Sequence, residues 1–522
     1  MPRHPYPEHD HPLNLSGNNL TIHQVADVAR SRAPVALDKV ALKAVQESYA
    51  ALKSLAEGER PVYGVNTGFG IFACCKIPPE RSRALSRNLL LSHAVGLGDP
   101  FSIDVVRAAM VIRVNSLARG NSGIDPALLT TLIAMLNKDV IPVIPSQGSL
   151  GSSGDLAPLA HLALVASRPI DENADDHSGE AFYQGKRMSG RDAMKAAGIP
   201  RPVLGPKQGL ALINGATFSA AILALALHDT QMLVSAAEAA AALSFEALNA
   251  LPSALDERLH DARQHPGQVK TARRIQSLLS GSQFTGKTSR VQDPYSLRCA
   301  PQIMGPVREI LTFSETVLSR EINAATDNPL LFDGEAISGG NFHGQPLGLC
   351  ADYMKIALSE LASVAERRIF RLMAGGESAQ LPLMLVAKDD MAGFHSGLMM
   401  LQYTAASLVL ENQHLAAPDS IHSLPTSAGQ EDHNANSTTA ARHLAELTRN
   451  CAYVIAIEFI AAAQAIDIHW LATPDRRLGE GTHRVYKRLR TLTPFVDKDR
   501  PLSSDVKNVA EGVLSGSWFT KT

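Results

Sequence analysis

The sequence predicts a mainly α-helical protein: a long-helix bundle preceded by a smaller, mixed N-terminal domain. Two observations carry this. From Lys207 onward, Ala/Leu-rich segments dominate, at about 209–250, 301–328, 346–375, 395–416 and 434–472, and strand signals are few and short. Many of these segments also lack a polar face, and helices that are apolar all round belong inside something larger than one small bundle. The composition agrees, since 522 residues at 45% hydrophobic suffice for a large core.

Residues 1–20 are polar and Pro-rich and read as a loose arm, without the apolar core of a signal peptide. Residues 21–208 form the N-terminal domain, a mixture of short helices and loops. Within it, Tyr63 to Gly70 is turn-rich and Ile141 to Gly154 is a loop between two helices. An acidic, irregular stretch at 168–181 leads into AFYQGKRMSG, a hairpin around Gly185. Residues 209–522 make the bundle and C-terminal helices, with breaks at Asp327-Asn328-Pro329 and Ser338-Gly339-Gly340. The apolar runs near 216–243 and 451–471 are interrupted by Asp229, Glu238, Glu458 and Asp467, so they read as buried helices and not membrane spans.

A net charge of −2 gives no footprint for nucleic acid or an anionic membrane surface. The five cysteines are scattered without CxxC spacing, which suits buried thiols in a reducing, cytoplasmic setting better than disulfides or zinc. Neither a repeat nor a low-complexity tract stands out.

The stretch that carries chemistry is GSLGSSGDLAPLAH, Gly148 to His161. Small residues let a backbone fold tightly onto itself. Here the Gly154 amide nitrogen can attack the Ser152 carbonyl. Loss of water, including the Ser153 hydroxyl, then leaves a five-membered ring with an exposed methylidene carbon. Protein side chains supply nucleophiles and bases but no strong carbon electrophile. The plain alternative is a Gly/Ser loop that caps a helix, with Asp155 as N-cap and Pro158 in the first turn.

This stretch resembles the methylidene-imidazolone (MIO) site of the aromatic amino-acid ammonia-lyases. Five more stretches match that family in chain order: YGVNTGFG at 63–70, ALINGA at 211–216, QDPYSLRCAPQ at 292–302, GGNFHGQP at 339–346 and PTSAGQEDH at 425–433. The resemblance covers roughly residues 20–475. It implies an N-terminal domain carrying the MIO loop, autocatalytic MIO formation from Ser152, Ser153 and Gly154, no metal, and a homotetramer whose active sites are shared between subunits. One departure stands at Ser152, where the family usually has Ala; the ring takes only that residue's carbonyl, so the side chain stays pendant.

The resemblance also implies roles. Tyr63 is the base for the β-proton; a free phenol has a pKa of about 10, so it needs a supportive setting to act near neutrality. Arg298 anchors the substrate carboxylate through its planar fork, with Asn328 beside it. Asn214 and Tyr295 hydrogen-bond the ring or the amine, Phe342 is an aromatic wall, and Gln292 and Gln430 complete the polar network. His93 and Glu431 resemble the histidine-specific branch, where a carboxylate meets an imidazole N–H. Against this, Gly344-Gln345 and Ala216 depart from the pattern of the family's histidine enzymes, and the stretches His395 to Gly397 and Met399 to Tyr403 resemble tyrosine lyases or aminomutases. The reading is elimination of ammonia from L-histidine to give urocanate, with a tyrosine or phenylalanine ammonia-lyase or a 2,3-aminomutase as the alternative. A metal hydrolase built on Glu431, Asp432 and His433 fits poorly, because three adjacent helical residues point apart. A non-catalytic assembly protein would keep Ser-Ser-Gly uncyclised.

Overall fold

Helix dominates the computed structural model, which describes residues 11–171, 176–375, 380–388 and 391–516. Part of the expected arm (1–10) and of the acidic stretch (172–175) lies outside the described residues, as does the end of the C-terminal region (517–522). The chain divides into two compact units. One is drawn from within Met1–His228, Glu315–Asp352 and Pro418–Arg442; the other from Asp229–Ser314, Tyr353–Ala417 and His443–Thr522.

The long helices are Thr217–Ala247, Ala300–Glu321, Gln345–Ala374, Met399–Leu415 and Ser437–Ala472. The segment expected from 209 is broken: Gln208–Ile213 ends at Asn214, and Gly215 takes φ +124° before the next helix starts. The helix expected over 301–328 stops at Glu321. Thr217–Ala247 and Ser437–Ala472 are long and apolar enough to cross a membrane, but their most apolar windows are 72% and 83% buried inside the protein. They are core helices, apolar on every side because protein surrounds them.

In the second unit the charges that interrupt these helices are paired. Arg368 donates to both oxygens of Glu458 at 2.5 and 2.8 Å, and Arg308 Nε donates to Glu238 Oε1 at 2.8 Å. Asp467 accepts from Arg490 and from the Tyr486 hydroxyl. A buried charge is tolerable on these terms.

The strands belong to the first unit and are short. Leu13–Leu15, inside the expected arm, pairs in parallel with Val35–Leu37. Ile141–Pro142 joins the antiparallel hairpin Glu180–Tyr183 and Lys186–Ser189, which turns at Gly185 as predicted. Pro145–Gln147 pairs with Leu97–Pro100. The stretch read as one loop from Ile141 to Gly154 therefore contains two strands, each too short to show a period-two pattern.

Candidate active site

The Ser-Ser-Gly segment is held by a close backbone crossing. Gly154 (φ +79°) and Gly215 form a parallel bridge, and the Asp155 N–H donates to the Gly215 carbonyl at 2.9 Å. A Cβ on Gly154 would stand 2.1 Å from the Gly215 nitrogen, so only glycine fits there. Asn214, in the same turn, donates from Nδ2 to the Ser153 carbonyl at 2.7 Å. Its buried Oδ1 has no partner among the described residues. The Ser152 hydroxyl is buried and accepts from the Ala435 N–H at 3.2 Å, so the residue that departs from the family pattern is accommodated.

Asp155 does not cap its own helix, Leu156–Ala166, through its side chain. Its carboxylate instead accepts from the Ser219 N–H at 2.8 Å, at the start of Thr217–Ala247, and from the hydroxyls of Ser149 (2.7 Å), Ser219 (3.2 Å) and Thr438. The donors sit on three separate stretches, which is why a local cap motif misidentifies the role. Full burial pushes this carboxyl above its ordinary value, and the hydrogen bonds oppose that rise. Asp155→Ala strands these buried donors and removes a helix cap, each loss costing about 1–2 kcal/mol. Urea unfolding of wild type and variant is expected to show a loss of about 2–4 kcal/mol.

A second loop supplies Glu431. Thr426 and Glu431 close it by two backbone hydrogen bonds (2.8 and 3.3 Å), with Ser427, Ala428 and Gly429 all at positive φ between them. Thr426 Oγ1 donates to Glu431 Oε2 at 3.1 Å, and Ser153 Oγ donates to Glu431 Oε1 at 2.7 Å. Glu431 thus reaches the one hydroxyl that ring formation must expel. His93, the last residue of the helix Ser82–His93, sits close enough to feel the charge of Glu431. Burial holds its imidazole below the ordinary histidine value, partly offset by a backbone hydrogen bond with Leu89 and by the charge of Glu431.

Tyr63 belongs to a third segment. Its phenolic oxygen accepts the Gly70 N–H at 3.1 Å, and its ring meets Phe69 edge-on at 6.4 Å. The short turn Gly70–Phe72 packs against Ser427–Gly429.

These segments enclose a cavity of about 1060 Å³ in the first unit. Of the predicted residues, Tyr63, His93, Ser152, Ser153, Asn214, Asn328, Phe342, Gln430 and Glu431 line it. Asn328 is braced by the Gly339 N–H at 2.9 Å and preceded by the buried pair Lys207–Asp327 at 2.5 Å. Gln292, Tyr295 and Arg298 are not brought to this cavity. They belong to the second unit, where Gln292 is exposed, Tyr295 is 68% exposed, and the Arg298 guanidinium stacks 4.6 Å from the Tyr295 ring centre. Sequence reasoning missed Thr426 and Phe69 as parts of the site and weighed His433 only as a metal ligand, although all three lie in the motif stretches.

The comparisons follow the same lines. The family model "Aromatic amino acid lyase" matches residues 20–491. A histidine ammonia-lyase of Alkaliphilus oremlandii (strain OhILAs) is 46% identical over 508 residues, covering 97% of each chain. Among solved structures, tyrosine aminomutase from Streptomyces globisporus superposes with a TM-score of 0.89 at 33% identity, over 97% of this chain and 98% of that one. Histidine ammonia-lyase from Trypanosoma cruzi gives a TM-score of 0.87 at 34% identity, over 98% and 94%. With its motifs in order, its helical fold and this match over nearly its whole length, the chain belongs to the aromatic amino acid lyase family and is a carbon–nitrogen lyase.

Proposed function

We propose that this protein is a cytoplasmic histidine ammonia-lyase that eliminates ammonia from L-histidine to give urocanate, using an MIO ring made from Ser152, Ser153 and Gly154. The observation that carries the substrate is that Glu431 and His93 both line the cavity that also holds Ser153. A carboxylate there suits an imidazole N–H and leaves a bare phenyl ring facing an unpaired charge. The relatives named histidine ammonia-lyase support the same reading.

The residues present fit the ring. Gly154 offers an uncrowded amide nitrogen, Asn214 holds the Ser153 carbonyl and keeps a spare buried oxygen, and the Leu156–Ala166 helix starts beside it. When present, the ring supplies the electrophilic carbon that ordinary side chains lack. Loss of the Ser153 hydroxyl also frees Glu431 Oε1 from its partner, leaving that oxygen for the substrate's imidazole. Tyr63 takes the β-proton through a phenolic oxygen held in place by the Gly70 amide. Asn328 holds the substrate carboxylate. Arg298, Tyr295 and Gln292 serve a cavity of another copy in a homotetramer, where the Arg298 guanidinium, braced by the Asp293 carbonyl at 2.8 Å, grips a carboxylate by its fork. A cavity as large as 1060 Å³ leaves room for such inserted side chains.

Steady-state kinetics on L-histidine, L-tyrosine and L-phenylalanine test the assignment. Wild type is expected to prefer histidine. Glu431→Gln gives up one charge-assisted hydrogen bond, so kcat/KM for histidine should fall roughly ten- to hundredfold while discrimination against phenylalanine relaxes. A wild type that prefers phenylalanine removes the assignment.

A further inference from the structure

Cys74 and Cys75 are adjacent, and both are exposed. They sit in the turn after Phe72, where the Cys75 N–H donates to the Phe72 carbonyl at 2.9 Å. The neighbouring Cys74 side chain raises the Cys75 thiol above its ordinary value. The other cysteines differ: Cys350 and Cys451 are buried, and Cys299 is half-buried. Nothing in the elimination uses a thiol.

This turn is also a wall of the cavity, since Phe72, Cys75 and Ile77 line it. It is clamped to the segment that carries Tyr63. The Gly68 N–H donates to the Cys75 carbonyl at 3.0 Å, and the Ile77 N–H to the Asn66 carbonyl at 2.9 Å. A backbone shift at the cysteines therefore reaches the segment of the proposed base.

We propose that Cys74 and Cys75 are a modification site, a vicinal dithiol that a low-molecular-weight disulfide oxidises to an intramolecular ring. The Cys74 thiolate attacks the small disulfide, forming a mixed disulfide and releasing one small thiol. Cys75, once deprotonated, attacks the Cys74 sulfur and releases the second. Two electrons pass from the pair to the small disulfide, leaving an eight-membered ring. Adjacent Cα atoms are about 3.8 Å apart, below the usual disulfide span of about 4.4–6.8 Å. Closing the ring must re-turn the peptide between them, and a strained, exposed disulfide is readily reduced again. Ring closure reversibly slows turnover; this effect, unlike the thiol chemistry, rests on the Tyr63 cavity being catalytic.

The full chain is incubated with glutathione disulfide, then digested and weighed without reduction, with turnover measured in parallel. The expected result is loss of two hydrogens, confined to the peptide holding Cys74 and Cys75. Turnover should fall roughly five- to a hundredfold, the cost of misplacing a catalytic group by up to an ångström. Dithiothreitol should restore both mass and rate. Cys74→Ser, outside the cavity lining, should keep its basal rate and form no ring. An unmodified peptide, or one that retains glutathione, overturns the ring. A ring with no change in rate overturns the coupling to turnover. A protein inactive on every aromatic amino acid before oxidation sinks the lyase reading, and the peptide mass still decides the dithiol site.

Discussion

Ser153→Ala is expected to give a folded protein that keeps both waters and loses turnover by more than about a thousandfold, beyond the usual loss for one electrostatic group. The hydroxyl removed is the one ring formation must expel. No other described contact depends on it except its hydrogen bond to Glu431, and that carboxylate keeps the Thr426 hydroxyl as a donor. Folding should therefore survive. Intact mass separates the possibilities cleanly. The wild type should weigh two waters less than its sequence, and the variant should match its sequence. A wild type at full sequence mass would end the ring hypothesis, and a variant with wild-type turnover would place the electrophile elsewhere.

Tyr63→Phe should lower turnover by at least about a hundredfold, the low end for removing a general base. The change keeps the ring and its edge-on contact with Phe69, and it removes only the oxygen that faces the Gly70 amide. The protein should still fold and still lose two waters on maturation. This pattern, normal mass with failed turnover, distinguishes Tyr63 from Ser153. An unchanged rate would assign the proton to another group.

Much of the fold was legible because the long helices announce themselves. Ser437–Ala472 is apolar all round, and Glu458 within it already argued for a protein interior. The sequence could not show that Arg368 would meet that carboxylate, because the two lie 90 positions apart. The short strands left no period to read, and Asn214-Gly215 broke a helix that propensity alone would have continued. In the site, the motif stretches hold most of the predicted lining residues, and His93 and Asn328 lie outside them. What they hid was the division of labour: Asp155 looked like the cap of its own helix and serves the start of another. Arg298, Tyr295 and Gln292, expected at the same site, lie in the second unit, a placement that motif order does not encode.

The bond between Ser153 and Glu431 spans 278 positions. A ribosome adds about 5–20 residues per second, so roughly 15–55 s of synthesis separate the two partners. Through that interval the reactive loop has been made but the far wall that grips its hydroxyl has not. A chain cut short before Glu431 lacks that grip altogether. The hydrogen bond thus forms only once the first third of the polypeptide has met its last quarter.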